Sequence, residues 1–251
     1  MNAEHPKSSI VGSFRRSWTH CWFERRLTRA NATPSRPLAG GCRWLRWTPA
    51  ITLIGSHGPV TPLDAFEGRR QLIAYYFMWH TGHPAPEQCE GCTWVTTQVR
   101  ELSYIHSRDV TFAVFCQGPY EESAPYRDFM GWEMPWYSAL GSLETLLIGR
   151  RVGRMHIACY LRQGSKVFET YWTTARGVEV MDNSYHLLDL TVYGRQEKWE
   201  DSPSGWPQQC TYTGTSSGSP TWETAWPGGR PIAQWPRLAA GRSDDLSLGK
   251  H

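Results

Sequence analysis

The strongest constraint on this chain is an unbroken apolar and aromatic run at residues 71–79 (QLIAYYFMW). A run of that length without alternation suits a strand covered on both faces, in a sheet packed between layers. Gly82, Pro84 and Pro86 stop it within a short loop. Cys89-Glu90-Gly91-Cys92 follows, and residues 93–106 read as an amphipathic helix. Val95, Val99 and Leu102 recur at helical spacing, with Ile105 close by, and make one apolar face. Residues 109–116 (DVTFAVFC) give a second buried strand. Residues 72–116 therefore predict a βαβ unit with a right-handed crossover.

The flanking segments extend this unit. Residues 49–66 predict a hairpin, with turn chemistry at Ser56-His57-Gly58-Pro59. Residues 121–131 predict a helix stopped by Gly131. Residues 134–138 are extended, and residues 142–148 form a short helix. Residues 156–161 and 166–172 predict two antiparallel strands joined by a turn at Gly164. Residues 178–190 predict a last helix, although Asp182-Asn183-Ser184 interrupts its pattern. The domain organisation expected is an Arg- and Trp-rich, poorly ordered arm at residues 1–47, one folded domain at 48–200, and a Pro-, Gly-, Ser- and Trp-rich tail at 201–251 that is mostly irregular.

Charge and cysteine usage narrow the function classes. The net charge of +3 comes from 26 basic and 23 acidic residues, a balance that does not favour nucleic acid or membrane as partner. No window approaches the roughly 18 apolar residues of a membrane helix. The seven cysteines are an odd number, and only Cys89 and Cys92 are closely spaced. Isolated cysteines with one Cys-x-x-Cys suit a reducing compartment, and no secretory leader is visible, so the expected location is cytoplasmic.

The Cys-x-x-Cys pair carries the chemistry. The thiolate is the attacking species, and a thiol at its ordinary pKa of about 8.5 is little ionised at neutral pH. A cysteine capping the helix that follows gains backbone N–H donors that favour its anion. This assigns Cys89 as nucleophile on a disulfide or peroxide, and Cys92, one turn on, as the resolving thiol. Glu87 and Glu90 oppose ionisation, while His80 and His83 offset them when protonated. Tyr76, Trp94, Trp132 and Trp136 are candidates to line or modulate the site, with core packing the bland reading of the two latter tryptophans. The same segment offers a competing zinc set, His80, His83, Cys89 and Cys92, on a non-catalytic interaction module. No phosphate loop is present, Thr93 rather than His follows Cys92, and no cofactor is expected. A peroxidase would want Thr or Ser three residues before its cysteine, where Pro86 and Cys89 stand.

Strand, loop, Cys-x-x-Cys and helix together resemble a thioredoxin-type redox centre. Residues 42–197 resemble a bacterial family of thioredoxin-like proteins known as domain of unknown function 899. The likeness rests on residues 68–79 (GRRQLIAYYFMW), the cysteine pair, 108–112 (RDVTF), 130–138 (MGWEMPWYS), 170–177 (TYWTTARG) and 185–195 (YHLLDLTVYGR). It implies a thioredoxin-like α/β three-layer sandwich with a mixed central sheet, and thiol–disulfide chemistry that draws on a thiol reductant. The chain departs from the family where Tyr76 replaces a usual His, and where Cys116-Gln117-Gly118-Pro119 replaces a Ser-Arg-Ala-Pro-like stretch. Thioredoxins also place a cis-proline before the third core strand. Met155 or His156 takes that place here, and a trans bond is expected.

Overall fold

The structure, a computed structural model, describes residues 51–196, 200 and 202–205. The expected arm at 1–47 and most of the expected tail lie outside the described residues. The run at 71–79 forms strand β3 (Gln71–Phe77), an interior strand of a seven-stranded sheet ordered β2-β1-β5-β4-β3-β6-β7. The other strands are β1 (Leu53–Gly55), β2 (Gly58–Val60), β4 (Val110–Cys116), β5 (Trp136–Ser138), β6 (His156–Gln163) and β7 (Lys166–Thr174). Strand β3 pairs parallel with β4 and antiparallel with β6, and β4 pairs parallel with β5. Strands β1–β2 and β6–β7 are the two antiparallel hairpins that the turn residues predict. This is a mixed sheet, left open at β2 and β7.

Strand alternation sorts the core into two layers. Tyr75 and Phe77 pack on one face with Cys92, Val95, Tyr126, Met130, Trp132 and Trp136. Ala74 and Tyr76 pack on the other with Phe66, Leu143, Leu146, Leu147 and Tyr160. The first face is covered by α1 (Glu90–Thr97) and α3 (Tyr120–Met130), the second by a 3-10 turn (Asp64–Phe66) and α4 (Leu143–Leu146). Helix α3 ends at Gly131, whose positive φ of 66° lets its N–H reach the Arg127 and Asp128 carbonyls.

Two helix expectations need correction. The segment 93–106 is not one helix: α1 ends at Thr97, and α2 (Ser103–His106) is a separate short turn. Thr93, Val95, Thr96, Thr97 and Val99 are β-branched and propagate a helix poorly. Gln98, at the break, turns its amide to a distant segment: Nε2 donates to Asp182 Oδ1 (2.8 Å), and Oε1 accepts from Ser184 N (2.6 Å). Residues 178–190 also divide, into a 3-10 run (Ala175–Met181) and α5 (Asn183–Leu188). Asp182 is the reason, since its side chain caps α5 by accepting from Tyr185 N at 3.1 Å.

A buried ion pair holds the second layer. Arg150 grips Glu169 through both guanidinium ends, and the two side chains are only 11% and 6% exposed. The guanidinium also lies 4.5 Å from the centre of the Trp172 ring. Removing one partner strands a buried charge, whereas replacing both with apolar side chains does not. Glu169→Ala is therefore expected to cost about 3–5 kcal/mol in a urea melt, and the double variant Arg150→Met, Glu169→Leu to recover most of that loss.

Candidate active site

The site forms where β3 runs out. After Phe77 the strand has no further register partner, and the next backbone N–H, from Met78, donates to Cys92 Sγ at 3.3 Å. Cys92 lies in the first turn of α1 and is fully buried, while Cys89 is half-buried at the helix N-cap. The Cys92 N–H donates to Cys89 Sγ at 3.4 Å. The Cys89 sulfur also lies 3.9 Å from the thioether of Met78. Both cysteines are free thiols.

The helix start is fixed from two sides. Thr93 donates its backbone N–H to the Cys89 carbonyl, and its hydroxyl lies 3.0 Å from the same oxygen. That hydroxyl is also 2.9 Å from Tyr126 OH, which ties α1 to α3. Before the helix, the Gln88 side chain is buried and clamps the loop. Its Nε2 donates to the His80 and His83 carbonyls (2.9 and 2.8 Å), and its Oε1 accepts from His80 N (2.9 Å). Glu122 of α3 holds the same loop, accepting from Trp79 Nε1 and Gly82 N, each at 3.0 Å. Trp79 packs on the backbone of Gly118 so closely that a Cβ there would fall 2.1 Å from the indole. Gln117 braces the opposite wall, with Nε2 donating to the Arg154 carbonyl and Oε1 accepting from Gly153 N, both at 2.8 Å.

The proposed modulators separate. Tyr76 sits on the far face of the sheet from the cysteine pair, with its hydroxyl 2.8 Å from Tyr160 OH. The period of two along β3 puts Tyr75 and Phe77, not Tyr76, on the cysteine side. Trp132 and Trp136 are buried beneath the pair and stacked on each other at 5.6 Å, with their indole N–H groups donating to Thr97 and Ser123. They are core, not the walls of an open pocket. Trp94 meets Tyr185 edge to face at 4.8 Å. Both line a cleft beside α1 with Gly91, Val95, Met155 and Val178. Among the described residues no peptide bond is cis, so the loop before β6 reaches Met155 in the trans form. The Glu90 side chain lies outside the described residues.

His80, His83, Cys89 and Cys92 do not come together as one ligand set. His80 Nδ1 donates to the Glu87 carbonyl, and His83 Nδ1 pairs with the Glu87 carboxylate at 2.7 Å on the exposed loop. The Cys92 sulfur faces the other way, into the core against Met78 N. Among the described residues, no group of three or more His, Cys, Asp or Glu side chains could hold a metal ion.

Burial distinguishes the cysteines chemically. It pushes the Cys92 thiol well above its ordinary value, and the adjacent Cys89 sulfur adds to the rise. The Tyr75 hydroxyl and the Met78 N–H act in the opposite direction. Burial likewise pushes Cys116 up to about 12 and Cys159 up to about 11. Sequence reasoning missed Met78, Tyr75, Gln88 and Gln117. The first two stand inside the apolar run, where nothing distinguishes a site residue from core; Gln88 clamps the backbone of His80 and His83 just before it, and Gln117 acts through backbone groups remote from it in the chain.

Residues 43–213 match the family described as bacterial protein of unknown function, DUF899. No curated protein matches the sequence. Among solved structures, a cysteine-to-serine mutant of peroxiredoxin Q from Xanthomonas campestris aligns at 13% identity. It covers 55% of this chain and 88% of its own, with a TM-score of 0.37.

The geometry predicts a labelling order. In a brief iodoacetamide pulse near neutral pH, Cys89 should be alkylated first of the four described cysteines. Cys116 and Cys159 should lag at least about tenfold, since a thiol pushed to about 11 or 12 leaves a thousandth or less ionised there. Cys92 should lag with them. Peptide mass spectrometry of the pulsed protein reads the order, and equal labelling of Cys89 and Cys92 would contradict it.

Proposed function

The chain belongs to DUF899, a bacterial family of unknown function, and we propose that it is a thiol–disulfide oxidoreductase in which Cys89 attacks and Cys92 resolves. The observation that carries this reading is the unequal setting of the two sulfurs. Cys89 is half-buried at the N-cap and accepts the Cys92 N–H at 3.4 Å, while Cys92 is buried behind it. An attacking thiol must be reachable, and the helix N-terminus offers donors that favour its anion. A resolving thiol need only reach its partner.

The reaction follows from those positions. The Cys89 thiolate attacks one sulfur of a substrate disulfide. A mixed disulfide forms, and the substrate's other sulfur leaves as a thiolate. Cys92 then attacks Cys89 Sγ, the second substrate sulfur leaves, and a Cys89–Cys92 disulfide remains. A thiol reductant returns the pair to its dithiol form. A peroxide is the alternative substrate, with Cys89 passing through a sulfenic acid before Cys92 closes the disulfide.

The burial that raises the pKa of Cys92 slows its attack at neutral pH, because the resolving thiol must lose its proton to react. Its reaction should quicken as pH rises. The four described cysteines are free thiols, which suits the proposed cytoplasmic location. Among the described residues, no helix is long and apolar enough to cross a membrane.

Thiol titration with mass spectrometry tests the assignment. Oxidant should close one Cys89–Cys92 disulfide in the wild type, and neither single Ser variant should form it. Cys92→Ser should retain a mixed disulfide on Cys89 after exposure to a small disulfide, whereas Cys89→Ser should retain none. If Cys89 takes up no adduct and the pair never closes, the non-catalytic interaction module is the better reading.

A further inference from the structure

Met78 touches both cysteines of the pair through different atoms. Its backbone N–H donates to Cys92 Sγ at 3.3 Å, and its thioether Sδ stands 3.9 Å from Cys89 Sγ. Three sulfurs thus gather at the open end of β3. Met78 is half-buried, so a small oxidant can reach its thioether. Met130, Met134 and Met155 are buried in the same layer. Met181 is also half-buried and packs against that layer, which makes it a natural reference for Met78.

A thioether that meets a hydroperoxide becomes a sulfoxide. The O–O bond breaks, an S–O bond forms, and the peroxide leaves as water or an alcohol. The sulfoxide sulfur is electrophilic, and the atom facing it here is the proposed nucleophile. The separation of 3.9 Å is only slightly longer than the roughly 3–3.5 Å of a near-attack pair, a gap that a small rotation of either side chain closes.

We propose that Cys89 and Cys92 reduce the sulfoxide of Met78 within their own chain, so that the site repairs its methionine after exposure to peroxide. The Cys89 thiolate attacks the sulfoxide sulfur, and the oxygen passes to Cys89 as a sulfenic acid. Met78 returns to the thioether, having gained two electrons. Cys92 then attacks the sulfenic sulfur, the S–S bond forms, and the oxygen leaves as water. One sulfoxide and two thiols become one thioether, one disulfide and one water. A thiol reductant resets the pair. Because a thiolate meets peroxide faster than a thioether does, Met78 is oxidised mainly while the pair is closed, and repair follows its reopening.

This step rests on the dithiol reading above, and the test separates the two. Protein with the Cys89–Cys92 disulfide closed is treated with hydrogen peroxide and freed of it. The disulfide is then reduced with a phosphine, the phosphine is removed, and the protein is held without oxygen or reductant. Peptide mass spectrometry follows the sulfoxides of Met78 and Met181. At least about half of the Met78 sulfoxide should disappear, the share of one sulfoxide epimer, while the Met181 sulfoxide persists. One Cys89–Cys92 disulfide should appear for each sulfoxide lost. Cys89→Ser should lose none, and Cys92→Ser, with Cys89 held as a mixed disulfide with a small thiol during the peroxide step, should stop after phosphine at a Cys89 sulfenic acid that dimedone traps. Met78→Leu should still close its pair with a small disulfide, yet show no closure after peroxide and phosphine. A Met78 sulfoxide as long-lived as that of Met181, in protein whose pair closes normally with a small disulfide, would overturn the repair step alone. A pair that closes with neither would remove the dithiol reading and the repair together.

Discussion

The hydrogen bond from Met78 N–H to Cys92 Sγ joins the sheet to the site. Within β3, each backbone group has a neighbour on β4 or β6. One residue beyond Phe77 that supply ends, and a buried N–H without an acceptor costs about 1–3 kcal/mol. The sulfur of Cys92 fills the gap. It can do so only if α1 begins where it does, which requires Cys89 at the N-cap and a fixed loop from His80 to Gln88. Gln88, Glu122 and Thr93 each contribute to that fixation through backbone groups. The position of Cys89 at the surface is thus a consequence of satisfying the end of a buried strand.

The same strand explains what could be read in advance. The run at 71–79 declares an interior strand because nothing else keeps so many apolar side chains from water. The hairpin at Gly58, the turn at Gly164 and the helix stop at Gly131 were legible because each depends on local backbone chemistry. The face of Tyr76 was not. Alternation shows in a sequence only when one face is polar, and β3 is covered on both. The Cys-x-x-Cys anchors the phase, since the helix it begins covers Tyr75 and Phe77, but that relation appears only once the crossover is built.

The helix boundaries failed for a different reason. Val95, Val99 and Leu102 hold helical spacing and do pack toward one layer. The chain leaves the helix between them because Gln98 bonds to Asp182 and Ser184, more than eighty residues away. Two buried ends are joined there at once, since Asp182 also caps α5. A local pattern cannot report a side chain whose partners are that remote. The glutamine clamp at position 117 was hidden in the same way, and together with the local clamp of Gln88 it bears on the site more than the aromatic residues that drew attention.

The unequal burial of the pair also sets a limit on how the proposed chemistry can run. Deep burial keeps Cys92 protonated, which slows resolution, yet the Tyr75 hydroxyl and Met78 N–H both face its sulfur as donors. These donors matter most when the sulfur carries negative charge, so they ease the ionisation that the attack on Cys89 requires. Loss of the Tyr75 hydroxyl should therefore affect the second half of the reaction more than the first. Cys89 owes its accessibility to the N-cap, and Cys92 owes its reactivity to two donors inside the core. The proposed order of attack rests on one sulfur having contact with solvent and the other contact with the end of strand β3.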